Sequence, residues 1–454
     1  MKADFGIKKN SDLAVDILRQ LSRRHSDFVV MTGFRKKSIW VSGDVDICCR
    51  CMLATSSCLM KVITEMGGVI AHCIPNYGGG VVISGAFPLR DWATFRFDLS
   101  ETPLLVSNVT FPEIFYSASA DEFLRDAELV GGIYCPASDV ELTHYIKRKI
   151  LKNQFDQSVS EYVNLLLQSC SDVDRSMDEI FNGDEKLIAV FKEFLLQGSI
   201  DRKEAENIRH RLKLRLVNMG RLKRVSLLSR ARRLLRKIFG VQQGLHIAFA
   251  APDGSGKTTA IERIMEKNGV FGQIRYFHLR PTLLPAVSAK ARSERENLSF
   301  KPHTSRPYGF FLSILKLLAL YFDYTVGYLI KIKTLLFSPN LIISDRYFYD
   351  VLVDPRRFRL KRTRLAEYLF GRMIPRPDVC YVLIGDPVAI SLRKNDLNWE
   401  QILEQNQTLI KLADVRPEMI VVNADANPDA VFDVIFGDLM SRLNRKIEYP
   451  QVGD

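Results

Sequence analysis

The segment AAPDGSGKTTA, residues 250–260, has the composition of a loop that holds phosphates. It follows the apolar run LHIAF and leads into AIERIMEK, so the predicted order is strand, glycine-bearing loop, helix. Backbone N–H groups from Asp253 to Lys257 can turn toward phosphate oxygens, and the following helix adds the positive end of its dipole. Gly254 and Gly256, on either side of Ser255, let the backbone come close to such a group. Lys257 is placed to reach β and γ phosphates, and the Thr258 hydroxyl, with Thr259 beside it, to ligate Mg²⁺. The pattern G-x-x-x-x-G-K followed by Ser or Thr is met except at its first position, where Ala251 stands in place of glycine.

A second signal is PNLIISDRYFYD, an apolar strand that ends in Asp345 and Arg346. At the carboxyl end of a parallel strand those side chains emerge where ligands bind in such sheets. The carboxylate can hold Mg²⁺ and the guanidinium can grip a phosphate with two hydrogen bonds. A third strand, PDVCYVLIGD, precedes PVAISLRKND, a helix start that carries Arg393 and Lys394.

Together, F-x-x-x-DGSGKTT, RYFHLRP, IISDRY and RPDVCYVLIGDPVAISLRKND resemble the thymidylate kinase family in order and separation, over residues 241–445. The resemblance implies transfer of the γ-phosphoryl group of ATP. It assigns Lys257 and Thr258 to ATP and Mg²⁺, Asp253 to placing the acceptor, and Arg280 and Arg346 to the acceptor's phosphate. The catalytic arginine of that family comes from the P-loop or the lid; Gly254 and Ser255 occupy the loop, which leaves Arg393 or Lys394 in the lid. The acceptor half departs further from the family. PTLLPAVSAK follows Arg280, Ala250 replaces an acidic residue, and FYDVLVDPRRF stands where the base pocket is built. Arg356, Arg357, Arg359, Lys361, Arg362 and Arg364 make that side basic in sequence. In this form the chain is similar to thymidylate-kinase-like proteins associated with bacterial surface polysaccharide, so the implied acceptor is a nucleotide or a phosphorylated sugar precursor.

The N-terminal part holds a different pattern. In FVVMTGFRKKSIWVSGDVDICCR, Gly33 precedes Asp44 by eleven residues, and Asp44 and Asp46 fall on one face of a predicted strand. WATFRFDLS adds Asp98 on a strand whose other face is Ala93, Phe95, Phe97 and Leu99. Three carboxylates from two strands are what two Mg²⁺ ions need to activate a hydroxyl and offset a leaving pyrophosphate. The arrangement resembles polymerase-β-type nucleotidyltransferases, with Phe34 in place of their turn serine. Cys48, Cys49, Cys51, Cys58, Cys73 and His72 cluster nearby, but CCRC lacks the usual zinc spacing, and core cysteines are the expectation.

These signals need elements to position them, and the 454 residues suffice for about three units at roughly 150 residues each. The expected fold is α/β: an α+β nucleotidyltransferase-like domain at 1–150, a helical region at 151–240, and a P-loop kinase parallel sheet at 241–445. The apolar stretch Phe310 to Phe337 is interrupted by Lys316, Asp323, Lys331 and Lys333, and a buried helix pair is expected there. MKADFGIKKN is followed by no apolar run, so no secretory signal is read and a cytoplasmic location is expected. Eight cysteines in so long a chain agree with a reducing compartment.

Charge is uneven. Asn207 to Lys237 holds twelve Lys or Arg and no acid, and without it the remaining basic residues equal the 52 acids, so this stretch carries the whole net charge of +12. Leu227, Leu228, Ala231, Leu234, Leu235, Ile238 and Phe239 fall on one helical face with arginines opposite, a pattern for an anionic membrane surface or for a packed linker. The stretch has no Phe, Tyr or Trp for base stacking, which argues against nucleic acid. The leading expectation is an ATP-dependent phosphotransferase, cytoplasmic or peripheral at the inner membrane face. The rivals are a nucleic-acid end-processing kinase and nucleotidyltransferase, and a non-catalytic ATP-binding scaffold. Each Lys or Arg near an anionic surface contributes about 1 kcal/mol, screened by salt. Changing Arg230, Arg232, Arg233 and Arg236 to Gln is therefore expected to weaken co-sedimentation with anionic vesicles at low salt and leave soluble ATP turnover unchanged. Sedimentation untouched by these changes marks the stretch as a packed linker.

Overall fold

The computed structural model describes residues 10–35, 44–75, 80–89, 91–106, 114–116, 119–223, 242–278, 308–360, 374–393 and 397–447. The chain divides into two units, residues 1–229 with 444–454 and residues 230–443. The helices expected as a central region fall within the first unit.

The first unit opens with α1 (Asn10–Arg24), β1 (Phe28–Val30), β2 (Val45–Cys49), α2 (Met52–Glu65), β3 (Val69–Pro75), β4 (Val81–Phe87) and β5 (Ala93–Ser100). The strands form a mixed sheet in the order β1-β2-β5-β4-β3, in which β2 and β5 are parallel. Burial alternates strictly along β5. Ala93, Phe95, Phe97 and Leu99 enter the core under α1 and α2, which leaves Arg96 and Asp98 on the opposite face. After the short helix Ala120–Leu124, five longer helices follow: α3 (Ser138–Leu151), α4 (Gln157–Ser169), α5 (Val173–Phe181), α6 (Glu185–Gln197) and α7 (Arg202–Asn218). Their core gathers Tyr162, Phe191, Phe194, Leu212 and Leu216. Asp residues cap the N-termini of α4 to α7 through backbone N–H groups, so local sequence sets where each begins. The described part of the basic stretch thus lies largely in α7, with Ile208, Leu212 and Leu216 turned inward. The expected amphipathic helix beyond it, residues 224–241, lies outside the described residues.

The second unit is a parallel α/β sheet. Its elements are β6 (Leu245–Ala250), α8 (Lys257–Glu266), β7 (Ile274–His278), α9 (Phe310–Leu336), β8 (Leu341–Asp345), α10 (Tyr349–Val353), β9 (Val379–Ile384), α11 (Pro387–Arg393), α12 (Trp399–Asp414), β10 (Met419–Asn423) and α13 (Pro428–Arg445). The strand order is β7-β8-β6-β9-β10, with every pairing parallel. Every residue of β6 and β8 is buried, as expected for strands covered on both faces. The first strand in sequence stands at the centre and the chain then runs to both sides of it, so the carboxyl ends around β6 form a topological switch point.

The buried helix pair expected at Phe310 to Phe337 is instead one helix of 27 residues, long and apolar enough to cross a membrane by length and composition. No turn divides it: Gly327 keeps a right-handed φ of −62°, and a π turn at Tyr328–Ile332 absorbs the irregularity. One side, with Leu317, Leu320 and Tyr324, packs against Tyr347 and Phe348, while Phe311, Leu315, Phe322 and Leu329 are exposed. Two of the charged residues that interrupt its sequence lie at the packed side, where Asp323 is buried and Lys316 donates to the Phe358 carbonyl at 2.6 Å, while Lys333 is exposed.

His246 sits within β6, fully buried, with Nε2 2.9 Å from the Ser344 hydroxyl and Nδ1 lacking a hydrogen-bond partner among the described residues. Burial lowers its pKa to about 4, against the Asp378 charge that acts the other way. A histidine whose folded pKa is depressed contributes stability above its unfolded value near 6.5, and that stability is lost as pH falls toward 4. We expect denaturant unfolding at pH 5 to show about 2 kcal/mol less stability from this group than at pH 7. His246→Gln is expected to flatten that part of the pH dependence, and an unchanged dependence in the variant assigns the acid sensitivity elsewhere.

Candidate functional site

The loop after β6 is shaped by two residues in left-handed backbone, Gly254 at φ 90° and Gly256 at φ 83°, a region that side chains other than glycine rarely adopt. Between them the buried Ser255 hydroxyl donates to the Pro252 carbonyl at 2.9 Å and closes the turn. Gly256 caps α8, so Lys257, Thr258 and Thr259 form its first turn, where backbone N–H groups have no partner within the helix. Thr258 and Thr259 are exposed, and Lys257 is buried.

The Lys257 Nζ stands 3.5 Å from Asp345 Oδ1 at the end of the neighbouring strand β8. Burial and the nearby Arg346 lower the lysine's pKa, against the pull of Asp350, Asp345 and Asp253. Burial works to raise the Asp345 pKa, but hydrogen bonding from His278, the Lys257 charge and hydrogen bonding from Tyr276 outweigh it and hold the carboxyl well below its ordinary range. Tyr276 donates to Asp345 Oδ2 at 2.8 Å, and His278 Nδ1 lies 3.3 Å from the same oxygen. Asp345 Oδ1 is buried with no hydrogen-bond partner among the described residues. Neither Tyr276 nor His278 was singled out in the sequence, although both lie on one face of β7 and their register pairs His278 with Asp345.

Arg346 is held within the site by its own backbone and by two carboxylates. Its backbone is left-handed at φ 71° and its N–H is bonded to the Phe249 carbonyl at 3.1 Å, which turns the side chain under the loop. One terminal nitrogen donates to Asp350 Oδ2 at 2.8 Å, and the other to Asp253 in the phosphate loop. Arg346 and Asp350 are both buried. The guanidinium expected to grip an acceptor phosphate is therefore engaged by two carboxylates, because the fold brings Asp350 one helical turn behind it.

Beside this clamp lies a cleft lined by Ala251, Asp253, Arg346, Asp350, Val353, Asp354, Leu397, Gln405 and Leu409. Gln405 Nε2 donates to Asp354 at 3.3 Å across it. Arg393 ends α11 and is exposed. Arg280 and Lys394, expected on the acceptor phosphate and in the lid, lie outside the described residues. Arg359 is described, with its guanidinium 4.2 Å from the centre of the Tyr308 ring.

In the first unit Asp46 and Asp98 are direct neighbours across the parallel pair β2 and β5, as their sequence faces required. Asp46 is taken by Arg148 of α3, and Asp44 by Arg96 at 3.2 Å. Burial raises the Asp44 pKa, partly offset by Arg96. Among the described residues no group of three or more His, Cys, Asp or Glu side chains is placed to hold a metal ion, so the expected three-carboxylate site is drawn instead as two Asp–Arg pairs. Sequence reasoning missed Arg148, and with it the buried Glu141 one face along the same helix. Glu141 accepts from the Gly33 N–H at 3.2 Å, from Arg35 Nε at 3.0 Å and from the Tyr162 hydroxyl at 2.5 Å. The eight cysteines are free thiols.

No protein-family model matches the chain, and no curated protein matches it. Solved structures do resemble it. A thymidylate kinase from Ehrlichia chaffeensis is 18% identical, over 43% of this chain and 98% of its own, with a TM-score of 0.31. A thymidylate kinase from Candida albicans is 18% identical, over 46% of this chain and 96% of its own, with a TM-score of 0.34. At those scores the likeness is a likeness only, and the site's own geometry decides what it can do.

Removing the Arg346 side chain takes the counter-charge from two carboxylates, one of them buried, a change that costs about 3–5 kcal/mol. We expect Arg346→Ala to lower stability by that order in denaturant unfolding and to weaken nucleotide binding in calorimetry, since Asp253 is no longer held. Wild-type stability in the variant rules out the clamp.

Proposed function

We propose that the chain is an ATP-dependent phosphotransferase acting at the carboxyl ends of β6 and β8. The placing of Lys257 supports this most. A buried ammonium at the start of a helix stands 3.5 Å from a carboxylate whose nearer oxygen has no hydrogen bond among the described residues. A lysine so desolvated, with its carboxylate neighbour no nearer than 3.5 Å, gains from a closer anion, and a triphosphate laid along residues 253–258 supplies one.

The residues also fit a divalent cation, since the Thr258 hydroxyl is exposed in the first turn and Asp345 Oδ1 stands ready to accept. Bound Mg²⁺ would offset phosphate charge there. The chain's own groups do the rest. The loop N–H groups orient the β phosphate, and Lys257 follows the charge that moves from the γ phosphate toward the leaving oxygen. Tyr276 and His278 hold Asp345 in its ionised form. Arg346 fixes Asp253 beside the acceptor, and the exposed Arg393 is the lid cation in this reading. The sequence left the acceptor as a nucleotide or a phosphorylated sugar precursor. The cytoplasmic location, peripheral at the inner membrane face through residues 207–237, belongs to the same proposal.

Lys257→Ala is expected to weaken ATP binding by at least about tenfold, the loss of one charge-assisted contact, and to abolish turnover. Calorimetry with ATP and Mg²⁺, followed by release of label from γ-labelled ATP, measures both. Wild-type affinity in the variant defeats the reading, and ATP binding without turnover in the wild type would mark a scaffold.

A further inference from the structure

A cavity of about 400 Å³ opens in the first unit. Arg19, Ser22 and Arg23 of α1 line one side of it. Leu129, Gly131, Gly132 and Tyr134 line the other, from the antiparallel hairpin of Glu128–Val130 and Ile133–Cys135. Its volume is that of a small-molecule site. None of these residues belongs to the Asp44, Asp46 and Asp98 group or to the phosphate loop, and the functional reading above leaves them unused.

Two guanidinium groups and no carboxylate stand among the described residues of the lining. Arg19 and Arg23 are one helical turn apart, where like charges disfavour a helix and a shared anion removes that cost. Arg19 is already oriented. Its Nε donates to the Gly131 carbonyl at 2.9 Å, and its stem lies over Gly132, where a Cβ would stand 3.6 Å from Arg19 Cγ. The hairpin tip that offers this carbonyl is a two-residue turn in left-handed backbone, Gly131 at φ 55° and Gly132 at φ 85°. Nε is thus spent on a neutral group, and Asp16 Oδ1, 3.7 Å from Nη1, is beyond hydrogen-bond reach. The Arg23 side chain is exposed and makes no ion pair or hydrogen bond with a described residue. The hairpin's own carboxylate, Glu128, is taken by Arg35 at 2.7 Å. Ser22 lies between the two arginines in sequence, and its buried hydroxyl has no hydrogen-bond partner among the described residues.

A phosphate ester carries about −1.5 to −2 charges at neutral pH and offers only acceptor oxygens. Guanidinium forks match those oxygens in pairs, and a fork held in place before binding loses less freedom on meeting them. The other wall is suited to a ring. Leu129 is 62% exposed, an apolar surface without cover, and the Tyr134 ring is steadied by an edge contact with Phe28 at 6.1 Å. We propose that this cavity binds a small phosphorylated molecule that carries a ring, a sugar phosphate or a nucleotide. Arg19 and Arg23 hold its phosphate, and Leu129 and Tyr134 lie against its ring. The confined volume suits a small molecule rather than a polymer. This site stands apart from the phosphotransferase reading and does not depend on it.

Calorimetry on the full chain tests it with glucose 6-phosphate, thymidine monophosphate, their unphosphorylated partners glucose and thymidine, and inorganic phosphate. At least one ring phosphate is expected to bind more tightly than its partner and than inorganic phosphate, and which one does so separates the two sources. Arg23→Gln removes a side chain with no partner to lose. It is expected to weaken that binding about tenfold, the loss of one charge-assisted contact, while ATP affinity and the unfolding midpoint stay at wild-type values. Arg19→Lys keeps the charge but not the fork, and is expected to weaken it as well. Wild-type affinity in Arg23→Gln overturns the proposal, because any binding then belongs to the phosphate loop or elsewhere. So does the absence of binding by both ring phosphates, an inorganic-phosphate affinity equal to theirs, or binding confined to oligonucleotides or anionic vesicles.

Discussion

The buried guanidinium of Arg346 is the constraint on which the second unit's site depends. It joins the end of β8 to the loop after β6 through Asp253, and to α10 through Asp350. A lone charge so deep is costly, and an arginine met by two carboxylates through both forks recovers much of that cost. The left-handed backbone at this residue shows what is given up to make the contact, since a non-glycine residue at φ 71° is uncommon. The clamp adds to the Ser255 turn and the Lys257–Asp345 contact in tying down the loop.

The rest of the site follows from where that clamp leaves its neighbours. With Arg346 turned beneath the loop, Asp345 faces the opposite way along β8 and meets Lys257, Tyr276 and His278. One strand end thus serves two purposes by the alternation of its side chains. Asp345 works on the side of the loop lysine, and Arg346 orders the loop and one wall of the cleft. The carboxylates that neutralise Arg346, Asp253 from the phosphate loop and Asp350 from α10, also line the cleft.

The first unit uses a related device on a different scaffold. Glu141, nearly sealed from solvent, gathers the Gly33 N–H, Arg35 and Tyr162, and so fixes the turn that precedes the Asp44 and Asp46 strand. Two turns along the same helix Arg148 meets Asp46. One helix therefore sets both the approach to the strand and the charge at its start. In both units an ionic contact between distant segments, rather than a local turn alone, holds the polar residues of interest.

What the sequence determined was local. The strand, loop and helix of residues 245–266 are legible because the apolar run, the two glycines and the helical period all lie within one short window. The inward face of β5 is equally legible, since a period of two fixes Ala93, Phe95, Phe97 and Leu99 on one side. The partners of the charges were not. Arg346 meets Asp253 across 93 positions and Arg148 meets Asp46 across 102, distances over which only strand order and helix packing decide what touches. For the same reason the apolar stretch at 310–336 read as a buried pair: composition states how apolar a helix is, and only its neighbours decide which side of it is covered. The sequence could supply a loop built for phosphate, but only the tertiary pairing turned one arginine inward onto Asp253 and Asp350 beside it.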